Sequence, residues 1–308
     1  MNDLGQLRYA IVSPVKDEEK YVARTIRSVL NQTVKPVRWV IVDDGSRDRT
    51  PEIVASATRG IDWIDFVRID RDGKRELGIT EIRAFGVGYE RLRNVSHDLI
   101  VKLDCDVELQ PAYFEEVLER FARNPRLGIA SGAFLEEHAG KWTFIRMPGY
   151  HASGASKVVR AECFRQIGGF VYQKGWDTVD EIRARALGWE TERFQDLTFL
   201  HLKREGSASG FVYSSLLEGE IDYATGSSKA FFLLKSLHRM ATRRPRIAAG
   251  ALMMWGFLRP LLQRRPRLVS DAEAKLYRGL LNGRMRDGFR RLVRLRKRPL
   301  DQACPASD

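Results

Sequence analysis

The sequence has few cysteines and no long apolar run. The three cysteines, Cys105, Cys163 and Cys304, are far apart and form no Cys-x-x-Cys pair. This spacing argues against a disulfide framework and a zinc site, and it is typical of a protein in a reducing cytoplasm. The longest apolar run, residues 247–258, is shorter than the roughly 20 residues that a membrane-spanning helix needs. Residues 1–15 lack a charged region followed by a long apolar stretch, so we expect no signal peptide.

Acidic residues are scarce only in the C-terminal quarter. The chain has 52 Lys and Arg against 40 Asp and Glu, a net charge of +12. Residues 236–308 hold 18 basic and 5 acidic residues, a net charge of +13, which leaves −1 for residues 1–235. An even basic coat, as in many proteins that wrap nucleic acid, is therefore excluded, and we expect no nucleic-acid partner.

Apolar strands alternate with helical segments along the first two thirds of the chain. The pattern predicts strands at 9–13, 39–42, 65–69, 98–103, 127–136 and 199–202, and helices at 16–31, 81–93, 111–123 and 180–187. This order predicts an α/β fold with a Rossmann-like, mostly parallel mixed sheet and helices on both faces. We expect a domain at 1–235 and a basic, partly amphipathic helical extension at 236–308.

Acidic motifs stand at the predicted carboxyl ends of the strands, where ligands of such sheets bind. Asp104 and Asp106, two residues apart, are able to chelate Mg²⁺ or Mn²⁺. A solvated turn with an Asp cap would give the same pattern. Asp43 and Asp44 precede a glycine, and an Asp-Gly turn before a helix explains them equally well. Each motif alone is ambiguous.

Together, the motifs resemble those of a known family. Residues 13–19 (SPVKDEE), 42–50 (VDDGSRDRT) and 102–106 (KLDCD) look like the motifs of a family 2 glycosyltransferase of GT-A fold. The resemblance extends over about residues 8–210. Asp17 stands where the family commonly has Asn.

The resemblance implies roles for the residues of these loops. Pro14 and Glu18 would lie near the ribose of a nucleotide, and Asp43 or Asp44 near its base. Asp106 would bind the metal on the donor's diphosphate, and Asp104 would bind the ribose or a metal-bound water. The implied cofactor is Mn²⁺ or Mg²⁺.

The resemblance also implies an acceptor side with a general base. Arg183 and Gly188 fit a family register that places the base at Asp177, with Trp176 where the family usually has Glu. Asp180 and Glu181 form a second acidic pair, so Asp180 stays an alternative base. Charge at the start of a helix, complementing its dipole, also explains that pair.

His201 lies between apolar neighbours and has two interpretations. A histidine on an apolar strand is usually a hydrogen-bonded core residue. In the family, a histidine of this segment often closes over the metal and diphosphate, and both interpretations stay open.

The basic extension has three interpretations. Residues 247–258 are apolar, and arginines lie on both sides of them (Arg243, Arg244, Arg246, Arg264, Arg265 and Arg267). Apolar insertion with cationic flanks favours binding to an anionic membrane surface. Packing on the catalytic domain or a second subunit is the alternative, and nucleic-acid binding is the least favoured.

We therefore expect an inverting, metal-dependent enzyme that moves one sugar from a nucleotide-diphospho-sugar, first of all a UDP-sugar. Its acceptor would be a membrane-associated glycan or a lipid-linked molecule, at the cytoplasmic face of the cell membrane. Two alternatives are a nucleotidyltransferase, whose glycine-rich loop is missing at residues 14–19, and a non-catalytic scaffold that binds sugar nucleotides. The oligomeric state is left open.

Overall fold

The computed structural model describes residues 7–69, 79–203, 210–242, 245 and 247–296, the last six without their side chains. Packing divides the chain into two compact units, Met1–Ala208 and Ser209–Asp308. The second unit begins ahead of the change in charge at Ser236, on which the predicted division into domains rests. The assignment of 1–235 and 236–308 to separate roles stays a prediction.

The first unit alternates strands and helices. Its strands are β1 (Tyr9–Val15), β2 (Arg38–Asp43), β3 (Ile64–Arg68), β4 (Leu99–Leu103), β5 (Val107–Glu108), β6 (Leu127–His138), β7 (Lys141–Phe144), β8 (Ser156–Arg160) and β9 (Glu190–His201). Its helices are α1 (Val22–Leu30), α2 (Thr50–Ala57), α3 (Thr80–Glu90), α4 (Tyr113–Arg123), α5 (Ala161–Gln166) and α6 (Trp176–Ala186).

All these strands join one mixed sheet in the order β3-β2-β1-β4-β8-β6-β9-β5, with β7 paired to β6. The first four in this order run parallel, so their carboxyl ends meet at one edge. β8 is antiparallel to both β4 and β6, while β9 is parallel to β6 and antiparallel to β5. The predicted α/β fold with a mixed sheet is confirmed.

Helices cover both faces of the sheet, which explains why its central strands are apolar without alternation. Tyr9 and Ile11 of β1 pack into a core with α1, α2 and α4. Ala10 and Val12, on the opposite face, pack with α3, α5 and α6. Every residue of β1 is buried, as expected for a parallel strand covered on both sides.

The sequence misplaced several elements. The helix predicted at 16–31 begins only at Val22, because residues 16–21 form a loop in which Asp17 has a φ of 55°. The helix predicted at 180–187 begins at Trp176. β9 begins at Glu190, well before the predicted 199, because charged residues alternate with buried ones in its first half. β8 and α5 were not predicted, since small residues hide the strand signal there.

The second unit is helical in its described part. It contains α7 (Phe211–Ala224), α8 (Lys229–Thr242), α9 (Ala248–Leu262) and α10 (Asp271–Arg296). Tyr223, Phe232, Met253 and Phe257 form its core. A capping box starts α10, where Ser270 and Glu273 each accept the other's backbone N–H. Arg243, Arg244 and Arg246 lie outside the described residues.

Two glycines let α7 and α9 approach closely. A Cβ on Gly219 of α7 would lie 2.0 Å from the carbonyl oxygen of Met253, and a Cβ on Gly256 of α9 would lie 2.1 Å from that of Leu216. Both distances are shorter than any side chain tolerates next to a rigid backbone. The two helices therefore pack backbone to backbone, and glycine is required at both positions.

No helix of the described residues is both long and apolar enough to cross a membrane.

We predict that Gly219→Ala destabilises the second unit by about 2 kcal/mol or more, because the new methyl group forces α7 and α9 apart. Gly279→Ala is the matched control, since a Cβ there meets nothing within 4 Å. It should stabilise α10 by about 0.5–1 kcal/mol. Hydrogen exchange of the α7 and α9 peptides checks the first change, and exchange of the α10 peptides checks the second. Equal protection of α7 and α9 in the two variants would contradict the prediction.

Candidate active site

The loops after β1 and β2 are held together by hydrogen bonds. The Asp17 backbone N–H donates to Ser46 Oγ at 2.9 Å, and the Glu18 N–H donates to Thr50 Oγ1 at 2.8 Å. Asp17 Oδ1 in turn accepts the Arg47 N–H at 2.8 Å. Among residues other than glycine, Asp and Asn adopt a positive φ most readily, which suits Asp17 to this turn. The two loops therefore form one rigid rim at the carboxyl edge of the sheet.

The predicted donor-binding residues lie on this rim. Pro14 is within β1 and buried, and Glu18, Asp43 and Asp44 are buried as well. Asp43 Oδ1 accepts the Ser46 N–H at 3.0 Å, and its Oδ2 lies 3.5 Å from Arg68 Nε. The structure thus brings these predicted residues together.

Glu18 also has a contact from the end of β9. The Lys203 ammonium group donates to Glu18 Oε1. Lys203 follows β9 directly, so this ion pair joins the end of β9 to the loop after β1.

Two buried lysines face each other in the middle of the sheet. Lys102 of β4 is paired in register with Lys157 of β8, and the two are 1% and 0% exposed. The ring of Trp176 lies beside both, with its centroid 5.4 Å from Lys102 Nζ and 5.2 Å from Lys157 Nζ. Burial of two like charges is costly, so each must have acidic partners.

Each lysine has its own pair of carboxylates. Lys102 Nζ contacts Asp104 and lies 2.8 Å from Glu81 Oε1. These acidic partners raise the pKa of Lys102, although burial acts in the opposite direction. The Asp104 carboxylate is therefore bound to Lys102 rather than turned freely toward solvent.

The second lysine joins β8 to the start of α6. Lys157 Nζ lies 2.9 Å from Asp180 Oδ2 and 3.4 Å from Glu181 Oε1, and it donates to the backbone oxygen of Asp177 at 2.7 Å. Glu181 accepts the Ala152 N–H at 2.7 Å. Lys157 therefore fixes the first turn of α6.

The two candidate bases differ in their access to solvent. Asp180 is 2% exposed and both its oxygens accept from Lys157, while Asp177 is partly exposed in the first turn of α6. Burial raises the pKa of Asp180 above its ordinary value, although Lys157 opposes this. A raised pKa suits a base, but a base must also touch the hydroxyl that it deprotonates.

Asp106 and His201 meet at the end of β9. His201 Nε2 lies 3.6 Å from Asp106 Oδ1, which is too far for a hydrogen bond. That oxygen is buried and has no hydrogen-bond partner among the described residues. The histidine is buried and packs against the ring of Phe134, so it has features of both interpretations made from the sequence.

This pair fits a divalent cation. Two adjacent ligands about 2.1 Å from an octahedral cation lie about 3.0 Å apart, so a small movement of this pair would bring both atoms to a cation, and an unpartnered carboxylate oxygen is a suitable ligand. In the described part of the chain, no set of three or more His, Cys, Asp or Glu side chains is arranged to hold a metal ion. Mg²⁺ and Mn²⁺ sites often use only one or two carboxylates, with substrate phosphates and water completing the shell.

Sequence reasoning missed several residues of the site. Lys102 was noticed only as part of the motif at 102–106 and Lys157 was given no role, although a lysine inside an apolar strand such as Leu99–Leu103 signals a buried ion pair. Glu81 and Glu136 gave no signal, because nothing in their local pattern indicates which strand or helix end they face.

The fold has counterparts among solved structures. The mannosyltransferase PcManGT from Pyrobaculum calidifontis, in complex with GDP-Man and Mn²⁺, is 15% identical with a TM-score of 0.52, covering 91% of this chain and 81% of that chain. S. aureus TarS 1–349 in complex with UDP-GlcNAc is 14% identical with a TM-score of 0.53, covering 82% of this chain and 72% of that chain. At such identities the likeness concerns the fold, which is the expected GT-A fold.

Sequence comparison gives the family. One curated relative, the undecaprenyl-phosphate 4-deoxy-4-formamido-L-arabinose transferase of Pseudomonas aeruginosa, is 28% identical over 123 residues, 37% of this chain and 32% of the relative. The alignments thus span about a third of the length of the curated relatives. The sequence model of "Glycosyl transferase family 2" matches residues 10–174, more than half of the chain. The chain therefore belongs to glycosyl transferase family 2.

Proposed function

We propose that the protein is an inverting, metal-dependent glycosyltransferase that moves one sugar from a nucleotide-diphospho-sugar to a membrane-associated glycan or lipid-linked acceptor. The observation that carries the proposal is the gathering of Glu18, Asp43, Asp44 and Asp106 at one edge of the sheet, beside the first turn of α6. Ligands bind at this edge of parallel sheets.

The rim formed by the loops after β1 and β2 binds the nucleoside. Asp43 or Asp44 accepts the N3–H of a uracil base, and Pro14 and Glu18 lie near the ribose. A carboxylate at the base favours UDP over nucleotides whose base offers no such donor. TarS was solved with UDP-GlcNAc and PcManGT with GDP-Man, so both kinds of donor occur on this fold.

Asp106 and His201 would hold Mn²⁺ or Mg²⁺, with Asp104 bound to the ribose or to a water of the metal. A cation held there would supply positive charge to the diphosphate leaving group. PcManGT carries Mn²⁺ in its solved complex. Lys102 keeps the Asp104 carboxylate in place, and the ion pair between Lys203 and Glu18 closes the edge of the site.

Asp177 acts as the general base. It takes the proton of the acceptor hydroxyl while that oxygen attacks C1 of the sugar from the face opposite the nucleotide, which inverts the anomeric configuration. Its partial exposure supports this role. Asp180 holds Lys157, and Lys157 holds the Asp177 backbone, so Asp180 supports the base instead of replacing it.

An apolar surface of the second unit supports a membrane location. In α8, apolar side chains recur on one side, with Leu233, Leu234 and Leu237 being 49%, 55% and 51% exposed. In α9, Trp255 and Leu262 are 54% and 72% exposed. We call these five residues the apolar face. Such large exposed apolar side chains are usual where a protein meets a partner or a membrane.

Cations lie close to this apolar face in sequence and are themselves exposed (Lys229, Arg259, Arg264 and Arg265). Apolar side chains with flanking cations suit the interface of an anionic bilayer. The P. aeruginosa relative is named for an undecaprenyl-phosphate acceptor, a lipid that such a location would bring within reach. We therefore propose that the protein binds the inner face of the cell membrane.

We predict that UDP raises the melting temperature in the presence of Mn²⁺ and much less in EDTA. A ligand at 100 times its Kd stabilises by about 2.7 kcal/mol. Asp106→Asn should remove the part that depends on Mn²⁺, because it removes a charged ligand. Asp62→Asn, which neutralises an exposed carboxylate elsewhere in the unit, is the control. The same Mn²⁺-dependent shift in Asp106→Asn and the control would contradict the proposed metal site.

We predict that Asp177→Asn lowers kcat by about 10²–10⁴-fold at an unchanged KM for the donor, because only proton transfer is lost. Asp180→Asn should instead lower the melting temperature, since Lys157 then lacks a buried partner. Release of UDP from a panel of UDP-sugars with Mn²⁺ and a short polyprenyl phosphate measures kcat, and a thermal melt of each variant measures its stability. A fall in kcat for Asp180→Asn alone, at normal stability, would move the base to Asp180. Absence of any release by the wild type would favour a non-catalytic scaffold.

We predict that replacing Leu233, Leu234 and Leu237 together by Gln weakens binding to phosphatidylglycerol-containing vesicles at least tenfold. Binding of the wild type should also fall in high salt, which screens the cations. Leu187→Gln in the first unit is the control, because Leu187 is 54% exposed. Equal sedimentation of the triple variant and the wild type would contradict the membrane location. The membrane location would also be contradicted if the triple variant lost self-association but bound vesicles like the wild type.

A further inference from the structure

Glu136, His201 and the end of the Asp106 loop lie side by side on neighbouring strands. In the sheet, Glu136 of β6 is the register partner of His201 of β9, and His201 is also the partner of Val107 in β5. The Leu202 N–H donates to the backbone oxygen of Asp106 at 2.8 Å. The backbone pairing of three strands therefore sets the order Glu136, His201, Asp106.

The side chains continue this order. Glu136 Oε1 lies 3.1 Å from His201 Nδ1, and both residues are 6% exposed. On the other side of the ring, Nε2 faces Asp106 Oδ1 at 3.6 Å. His138 Nε2 lies 3.6 Å from the second oxygen of Glu136, but the side chain of this histidine is 44% exposed. The imidazole of His201 is thus held between two carboxylates, only one of which is at hydrogen-bond distance.

A buried carboxylate is costly to desolvate, so its place beside an imidazole requires a reason. A histidine that binds a metal through one ring nitrogen commonly donates its other N–H to a carboxylate, which fixes the tautomer and the ring orientation. Glu136 is placed to accept from Nδ1–H, which leaves the lone pair of Nε2 on the side of Asp106.

We propose that Glu136 is a positioning residue that orients His201 as a metal ligand. The inference rests on the proposed metal site and adds a residue that does not itself touch the metal. It also decides between the two interpretations of His201: the histidine is buried and hydrogen-bonded because that bond turns Nε2 toward the cation.

The test measures the affinity of the full chain for Mn²⁺, in the presence of UDP, by calorimetry or by the electron paramagnetic resonance signal of free Mn²⁺. Glu136→Leu should weaken Mn²⁺ binding by about 10–100-fold, the usual effect of losing such a partner. Glu136→Gln keeps an oxygen that accepts from Nδ1–H and should restore most of the affinity.

Glu137→Gln is the matched control. It removes the same charge from the next residue of β6, whose side chain points to the opposite face and is exposed. It should bind Mn²⁺ like the wild type. A melting temperature for each variant separates loss of fold from loss of affinity.

The outcomes distinguish this inference from the proposed function. If Asp106→Asn weakens Mn²⁺ binding while folded Glu136→Leu binds it normally, Glu136 has only a structural role and the inference is wrong. If neither Asp106→Asn nor His201→Ala changes the affinity, the metal site itself is wrong. Equal losses in Glu136→Leu and Glu137→Gln would indicate a general effect of charge and would overturn the positioning role.

Discussion

Like charges at one edge of the sheet are the constraint on which the rest of this structure depends. The parallel strands deliver several carboxylates to the same place, where burial and mutual repulsion both act against them. Two lysines paired across β4 and β8 offset this repulsion. Lys102 pairs with Glu81 and Asp104, and Lys157 pairs with Asp180 and Glu181.

Such buried pairs add little stability by themselves, but removal of one partner costs about 3–5 kcal/mol. Their effect here is therefore to hold acidic groups at this edge of the sheet. The ring of Trp176 lies beside both lysines, and Asp177 follows it at the start of α6. The family usually has Glu at the position of Trp176. Here the tryptophan ring packs beside both lysines, whereas a glutamate would form an ion pair with them.

The sequence predicted the fold and the family, because both depend on local signals. Continuous apolar strands indicated a sheet covered on both faces, and the motifs around Asp43 and Asp106 indicated the family. Contacts between distant strands were not predictable. Glu136 becomes a neighbour of His201 only through the parallel register of β6 and β9, and Lys157 faces Lys102 only through the register of β8. The helix start at Val22 was missed because a side-chain-bonded loop, centred on Asp17, replaces the first turn.

The proposed donor and metal site is tested most directly by a crystal structure of the full chain with UDP and Mn²⁺, in which anomalous scattering locates the metal. We expect one Mn²⁺ bound by Asp106 Oδ1 and His201 Nε2 and by the diphosphate, with the uracil beside Asp43 or Asp44. A Mn²⁺ held elsewhere, or UDP bound at this edge with Asp106 and His201 unchanged and no metal between them, would contradict the proposed site.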